Sequence, residues 1–253
     1  IELTGKRVLI TGSKGGIGFA IAKKFAEAGA ELVLHARNES PEFIEAKTNL
    51  SKLSMADITG VFGDFSNQDA CKQIFETLMK DQKTVDVLVN NAATQTLSAL
   101  TDMSGTKVRE MLEINLQVPI LMTRYFAEQA QGGGSIVNIC SIEALTPALN
   151  HSHYAASKAG LINFTKASAL ELGPKKIRVN SICPGLIDRQ NLKQDWPDGV
   201  KSWLGAVPLG RLGTGEDVAN AALFLAGDHA KFITGANLIA VSYTHLRAHE
   251  TEQ

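Results

Sequence analysis

Short apolar runs alternate with longer amphipathic segments along most of the chain. We interpret the short runs as strands, and the segments with apolar residues every three or four positions as helices. Strands are predicted over residues 8–10, 31–35, 58–62, 85–89, 135–140, 177–182 and 237–241. Helices are predicted over residues 17–28, 41–53, 67–80, 153–172 and 217–226, with one long helix inside residues 106–130.

This alternation predicts an α/β fold. Strands that are joined by helices run parallel, and strands that are apolar on both faces are covered by helices on both sides. For 253 residues we expect one domain, a Rossmann-type doubly wound parallel sheet of about seven strands spanning residues 1–241. Residues 188–212 are rich in Pro and Gly, hold Trp196 and Trp203, and are predicted to be an irregular lid over the active site.

Composition narrows the possible classes of protein. The chain is 44% hydrophobic and 20% charged with a net charge of -1, which gives no reason to expect nucleic acid or an anionic membrane as partner. Cys71, Cys140 and Cys183 are widely spaced, so we expect free thiols in a reducing compartment. No apolar run approaches the roughly 18 residues that span a bilayer. The sequence runs directly into its first strand, so we expect no signal peptide and a cytoplasmic protein.

A glycine-rich loop lies where the first strand meets the first helix. Residues 11–18 read Thr-Gly-Ser-Lys-Gly-Gly-Ile-Gly. Glycines let main-chain N–H groups approach a pyrophosphate at the positive end of a helix. The alternative is an ordinary turn, because the spacing is wider than G-x-G-x-x-G, but the position in the first βαβ unit favours a dinucleotide site. The residues expected at this cofactor are Gly12, Ser13, Lys14, Gly16, Ile17 and Gly18.

The end of the second strand should face the adenosine ribose. A carboxylate there would bind the ribose 2′-hydroxyl and favour NAD. The sequence instead places Arg37 at this point, and a guanidinium can hold a 2′-phosphate with two hydrogen bonds. Lys14 would add a second positive charge. The alternative is that Arg37 is a solvated surface charge. We expect NADP(H) as cofactor.

Tyr154 and Lys158 are four residues apart, on one face of a predicted helix. An ammonium about 4 Å from a phenol, at an effective dielectric near 20, would lower the phenol pKa from about 10 to about 7. Such a tyrosine could donate a proton to a carbonyl and accept one in the reverse reaction. By itself this spacing is also common in pairs of surface residues. Tyr154 is predicted to be the general acid/base.

Ser141 ends the strand that precedes this helix, at the carboxyl edge of the sheet where ligands bind. Its hydroxyl could hydrogen-bond the substrate oxygen and stabilise the charge that builds there. A helix cap or turn residue is the alternative for any single serine.

In this order and spacing, the motifs resemble the short-chain dehydrogenase/reductase family from about residue 6 to residue 241. They are the glycine-rich loop, Asn90-Asn91-Ala92, Ser141, Tyr154-x-x-x-Lys158 and Pro184-Gly185. The segment around Arg211 is similar to that of 3-oxoacyl-carrier-protein reductases and their sugar dehydrogenase relatives.

The resemblance implies further roles. Asn115 completes a tetrad with Ser141, Tyr154 and Lys158 and holds a water next to the lysine. Lys158 also binds the nicotinamide ribose, and Asn90 braces the central strands. The other residues implied at the cofactor are Asp64, Phe65, Asn91, Ala92, Tyr154, Pro184, Gly185 and Ile187.

Three features depart from the family pattern. Ala93 stands where the family has glycine, which matters little if the backbone φ there is negative. Arg189 stands where a hydroxyl residue often contacts the nicotinamide amide. It is interpreted as a solvated lid charge, with an anionic substrate or cofactor phosphate as the alternative partner. Residues 242–253 replace the usual ending and are predicted to be a non-native or disordered tail.

The substrate pocket is expected to be mostly apolar, formed by Leu145, Leu149, Leu186 and Trp203 next to Ser141. The favoured function is an NADPH-dependent carbonyl reductase. The alternatives are an NAD-preferring alcohol or sugar dehydrogenase and a non-catalytic dinucleotide-binding sensor.

The resemblance also implies a homotetramer. One interface would use the helices within 106–130 and 153–172, and the other the helix from residue 217 with the last strand. The tail follows this strand, so it is predicted to weaken the tetramer to a dimer. His245 and His249 are four residues apart, but with no third ligand in view we expect no metal site.

Overall fold

A computed structural model describes residues 1–241 and shows seven strands in one parallel sheet. The strands run in the order β3-β2-β1-β4-β5-β6-β7. β2 and β3 are added on one side of β1, and β4 pairs with its other side and is followed by β5, β6 and β7. This confirms the Rossmann-type α/β prediction. The strands are β1 Arg7–Ile10, β2 Glu31–Ala36, β3 Ile58–Phe62, β4 Val87–Asn90, β5 Gly134–Ile139, β6 Ile177–Pro184 and β7 Asn237–Ala240.

Helices cover both faces of the sheet. They are α1 Gly16–Glu27, α2 Pro41–Ser51, α3 Ala70–Leu78, α4 Gly105–Leu112, α5 Val118–Gln129, α6 Ser152–Leu172, α7 Leu192–Asp195, α8 Pro197–Ala206 and α9 Gly215–Ala226. On one face Val8 and Ile10 pack with the apolar sides of α1, α2 and α9. On the other face Leu9 packs with those of α3, α5 and α6. Alternate residues of β1 therefore enter different cores, which explains why the strand is apolar throughout.

The predicted long helix inside residues 106–130 is interrupted. A π-helical turn, Glu113–Gln117, separates α4 from α5. Asn115 lies in this turn, is fully buried and bonds to a segment outside the helix. Wider π turns are often found at functional sites.

The prediction that residues 188–212 are irregular was wrong. They contain α7 and α8, and Pro197 occupies the first turn of α8, where its missing N–H costs no hydrogen bond. A small apolar cluster of Leu192, Val200 and Leu212, with Trp203 packed against it, gives these helices a core of their own.

Within residues 1–241 no helix is long and apolar enough to cross a membrane, and no cluster of three or more metal-ligating side chains occurs. His245, His249 and the predicted tail at 242–253 lie outside the described residues.

Candidate active site

The glycine-rich loop joins β1 to α1 at the carboxyl edge of the sheet. Gly12 has φ +64°, and a Cβ there would lie 3.0 Å from the Cα of Ala92. A Cβ on Gly18 would collide with the carbonyl oxygen of Gly12. Gly15 precedes α1 without a side-chain cap, and no acidic residue lies in the first turn. The first N–H groups of α1 are therefore available to an anion, and the loop has room for a pyrophosphate only because side chains are absent.

Thr11 and Asn91 fasten this loop to the end of β4. The Thr11 hydroxyl accepts hydrogen bonds from the N–H groups of Asn91 and Ala92 at 2.9 and 3.0 Å. The Asn91 amide donates back to the carbonyl oxygens of Thr11 and Gly12 at 2.9 and 3.0 Å. Asn90, one residue earlier, donates to the Asn138 amide of β5 at 2.8 Å, which braces the two central strands.

His35 is a site residue that the sequence analysis missed. Its Nδ1 accepts a hydrogen bond from Gly12 N at 3.3 Å, its Nε2 lies 3.0 Å from Gly63 O, and its ring stacks on Phe65 with centroids 4.4 Å apart. Burial lowers the pKa of His35 to about 4, so the ring is neutral and Nδ1 can accept. The only available signal was a polar residue inside a buried strand. His35 thus joins the glycine-rich loop to the loop after β3.

The ribose end of the site carries Arg37 directly after β2. Its Nε lies 3.4 Å from Asp64 Oδ2, and the side chains of Arg37 and Asp64 are 72% and 43% exposed. Hydrogen bonds from Ser66 hold the pKa of Asp64 below its usual value, and Arg37 lowers it further. Asp64 and Phe65 follow β3 as expected, but the Phe65 ring is buried against His35. An exposed guanidinium therefore lies directly after β2.

Tyr154 and Lys158 lie on the buried side of α6. Lys158 Nζ is 5.8 Å from the centroid of the Tyr154 ring and donates to the carbonyl oxygen of Ile139 at 2.9 Å. Burial raises the pKa of Tyr154 to about 12, opposed by a hydrogen bond with Ser141. The expectation of a phenol pKa near 7 was therefore wrong for the chain without nucleotide. Burial also lowers the pKa of Lys158, because the ammonium is removed from water.

The structure shows Ser141 as a capping residue, and its hydroxyl also contacts Tyr154. Its hydroxyl accepts a hydrogen bond from Glu143 N at 3.1 Å and so caps the short 3₁₀ turn Ile142–Ala144. The same hydroxyl bonds to Tyr154. Ser141 and the phenol therefore face one point at the carboxyl edge of the sheet.

Asn115 fixes the segment after β4 to the helices. Its Oδ1 accepts from Thr94 N and its Nδ2 donates to Thr94 O, each at 2.8 Å, and Nδ2 also lies 3.2 Å from Ser157 Oγ. Ser157 in turn donates to the Tyr154 carbonyl oxygen at 2.7 Å. Asn115 is thus connected to Tyr154 and α6 through Ser157.

All three cysteines are buried free thiols, as expected. Cys140 and Cys183 share a hydrogen bond, which together with burial raises the pKa of Cys140 well above its usual value. They fill space between the sheet and Lys158, so we assign them to packing.

The residues predicted to line the substrate pocket do not all come together. Leu186 and Trp203 line a cavity of about 240 Å³ with Gly185, Ile187 and Ala240. Leu145 and Leu149 lie outside it, and Leu149 is 92% exposed.

The end of β6 lies against Trp203 of α8. A Cβ on Gly185 would lie 2.9 Å from the Trp203 ring, so glycine permits this approach. Pro184 ends β6, and Ile187 forms an isolated bridge with Gly213. Arg189 is ion-paired with Asp195 at 2.8 Å with both side chains exposed, so it is a surface charge.

A family model described as enoyl-(acyl carrier protein) reductase matches residues 12–241. A 3-oxoacyl-(acyl-carrier-protein) reductase of Chlamydia muridarum is 38% identical over 238 residues, covering 92% of this chain and 94% of that protein. The chain belongs to the short-chain dehydrogenase/reductase family.

Other short-chain dehydrogenases/reductases are similar over nearly the whole chain. An L-xylulose reductase of Caenorhabditis elegans is 35% identical over 244 residues, covering 94% of each chain. Among solved structures, a short-chain type dehydrogenase/reductase from Mycobacterium marinum has a TM-score of 0.87 at 30% identity, covering 94% of each chain. A proposed NAD(P)-dependent gluconate 5-dehydrogenase from Beutenbergia cavernae, with NADP bound at low occupancy, has a TM-score of 0.88 at 29% identity. It covers 95% of this chain, and the match spans 97% of its own length. The chain is therefore an oxidoreductase of this family with a Rossmann fold.

Proposed function

We propose that the protein transfers a hydride between NADP(H) and a carbonyl or secondary alcohol, with Tyr154 as general acid/base. The observation that carries this is the meeting of the Ser141 hydroxyl and the Tyr154 phenol at the carboxyl edge of the sheet, with Lys158 buried behind them. This arrangement has a proton donor, a second hydrogen-bond donor for a substrate oxygen and a buried positive charge. A sensor that only binds a dinucleotide would need none of the three.

The residues present fit a dinucleotide. Gly12 and Gly18 leave room that side chains would fill, and the start of α1 offers free N–H groups. Asn91 and Ala92 support this loop, and Lys158 is the residue proposed for the ribose hydroxyls. When bound, NADPH would supply the hydride and NADP⁺ would accept it.

The proton comes from the protein. With a pKa of about 12, Tyr154 is protonated at neutral pH and can donate to the oxygen of a carbonyl as the hydride reaches its carbon. Ser141 would bind the same oxygen and stabilise its developing negative charge. In the reverse direction Tyr154 must first lose its proton, which a positive charge near the phenol would favour.

NADP(H) is proposed over NAD(H) because Arg37 follows β2 where a carboxylate would recognise a 2′-hydroxyl. The NADP in the Beutenbergia cavernae relative supports the same assignment. The test follows absorbance of reduced nicotinamide with NADPH, then NADH, over a panel of ketones. Turnover with NADPH is expected. Turnover with NADH alone would favour the NAD-preferring alternative, and binding of both without turnover would favour a sensor.

We further propose a homotetramer. Apolar side chains are exposed on helices expected at one interface, with Leu170 of α6 82% exposed and Ile120 of α5 37% exposed. Leu238 and Ile239 of β7, expected at the other interface, are 39% and 41% exposed. Light scattering on the full chain and on a chain ending at Val241 tests both the homotetramer and the proposed effect of the tail. A tetramer for the shorter chain and a dimer for the full chain are expected, and a tetramer for both would remove the proposed effect of the tail.

A further inference from the structure

Three polar side chains outside the tetrad form a hydrogen-bonded row. Glu143 Oε2 lies 2.7 Å from His151 Nδ1, and Gln95 Nε2 donates to Glu143 Oε1 at 3.3 Å. Glu143 comes from the turn after β5, His151 precedes α6, and Gln95 follows β4. Three separate segments of the carboxyl edge therefore meet through these side chains, which we call the polar row.

The polar row lies beside the catalytic residues. Glu143 N donates to the Ser141 hydroxyl at 3.1 Å. The rings of His151 and Tyr154 have centroids 6.0 Å apart. The charge of Glu143 also reaches the phenol, since after burial it is among the causes that raise the pKa of Tyr154. A substrate whose oxygen meets Ser141 and Tyr154 would place its neighbouring atoms near the polar row.

The polar row still has hydrogen-bonding capacity to offer. The side chains of Glu143 and His151 are 17% and 14% exposed, so each keeps an edge open to solvent. The carboxylate orients His151 through Nδ1, and within residues 1–241 Nε2 has no hydrogen-bond partner. The Gln95 side chain is exposed, and its amide oxygen can accept. Donors and acceptors are therefore interleaved along one side of the site.

Hydroxyl groups match such a surface, because each can donate and accept at once. An unsubstituted acyl chain would cover these groups without satisfying them, at a cost of about 1–3 kcal/mol for each buried polar group left unpaired. We propose that Gln95, Glu143 and His151 form a subsite for the hydroxyl groups of a polyhydroxylated carbonyl substrate. This inference rests on the proposed function and adds its substrate class, in place of the mostly apolar pocket expected from the sequence.

The test compares three carbonyl substrates with NADPH: a 2-ketopentose, pentan-2-one and an acetoacetyl thioester. Wild-type protein is expected to have kcat/KM at least tenfold higher for the ketopentose than for pentan-2-one. Glu143→Gln and His151→Gln should each lower kcat/KM for the ketopentose by about 10- to 100-fold, mainly through KM, and change that for pentan-2-one less than threefold. Glu76→Gln, an exposed change on α3, is the matched control and should alter neither.

Each other outcome is informative. If a variant loses kcat/KM equally for the ketopentose and pentan-2-one, the polar row is a structural brace and the proposed subsite is wrong. If one of the two variants fails to fold, the other is sufficient for this test. Preference for the acetoacetyl thioester would show that the exposed Leu145 and Leu149 hold an acyl chain instead. Both results would leave the proposed oxidoreductase function standing. Absence of turnover with all three substrates and either nucleotide would overturn both proposals.

Discussion

Lys158 donates a hydrogen bond from Nζ to the main-chain carbonyl oxygen of Ile139, at 2.9 Å. Ile139 is the last residue of β5, so the ammonium is held against the end of the sheet, with Nζ 5.8 Å from the centroid of the Tyr154 ring. Burial is the largest influence on the phenol and raises the pKa of Tyr154 to about 12, and Lys158 is not among the groups that shift it. The acidity of the phenol must therefore depend on what binds next to it.

The ionisation of Tyr154 should therefore depend on the oxidised nucleotide. Without nucleotide, no phenolate from Tyr154 should form below about pH 11, whereas saturating NADP⁺ should lower its pKa by at least one unit because it adds positive charge. Phenolate absorbance near 295 nm, taken as the difference between wild type and Tyr154→Phe, measures this. A midpoint near pH 7 in the free protein would contradict the structure.

Replacement of Tyr154 by Phe should lower kcat by about 10²- to 10⁴-fold, the usual contribution of a positioned acid/base. The affinity for NADPH, measured by fluorescence titration, should change less than threefold. Tyr125→Phe is the matched control, because Tyr125 of α5 packs near Phe75 of α3, away from the site. Retained turnover in Tyr154→Phe would remove the chemical basis of the proposed function.

Replacement of Arg37 by Ala should raise KM for NADPH at least tenfold, about 1.4 kcal/mol, and change KM for NADH less than threefold. The physical reason is loss of the guanidinium proposed to hold the 2′-phosphate. Arg189→Ala removes another exposed, ion-paired arginine and should affect neither value. A larger effect of Arg189→Ala than of Arg37→Ala on NADPH would instead place the phosphate contact in the lid.

Protonation of His35 should destabilise the protein in mild acid. The folded pKa of about 4 is below the unfolded value of 6.5, so the unfolded chain binds the proton first. The contribution of neutral His35 to the free energy of unfolding is fully present above pH 6.5 and falls as the pH decreases toward 4. By linkage the loss is about 2 kcal/mol at pH 5 and about 3 kcal/mol at pH 4.

Urea unfolding between pH 7.5 and 5 measures this loss. His35→Gln should show a shallower dependence of unfolding free energy on pH than wild type, since the variant has no ring to protonate. Identical pH dependence in the two proteins would mean that His35 titrates normally when folded.

Replacement of Asn115 by Ala should lower the free energy of unfolding by about 2–4 kcal/mol, because it leaves the partly buried N–H and C=O of Thr94 without their partner. Asn49→Ala, on the exposed side of α2, is the control and should change it by less than about 0.5 kcal/mol. A loss in Asn115→Ala as small as in the control would show that water replaces the amide.

Local patterns were sufficient for most of the fold. Most strands are apolar on both faces and stood out as short runs, and residues 58–62, of which Ile58 and Val61 are buried, were predicted with the observed bounds of β3. The glycine-rich loop, Ser141 and the Tyr154–Lys158 pair were placed correctly at the carboxyl edge because parallel strands all end there.

The features that the sequence did not predict depend on contacts between distant segments. The π turn is tied by Asn115 to Thr94, and periodicity alone does not reveal such a contact. The spacing of Tyr154 and Lys158 fixed their shared face but left the direction of the lysine side chain open, and the pKa depends on that direction. α7 and α8 are short and lie in a Pro- and Gly-rich segment, so their turn residues masked their helical pattern.

The position of β1 has a consequence for how the molecule holds together. Among the strands of residues 1–241, only the hydrogen bonds between β1 and β4 join the first three strands to the last four. The glycine-rich loop and Asn91 lie at the end of this seam. A nucleotide bound across the β1–β4 pair would contact both halves of the sheet, β1–β3 and β4–β7. Cofactor binding should therefore slow unfolding steps in which these halves separate.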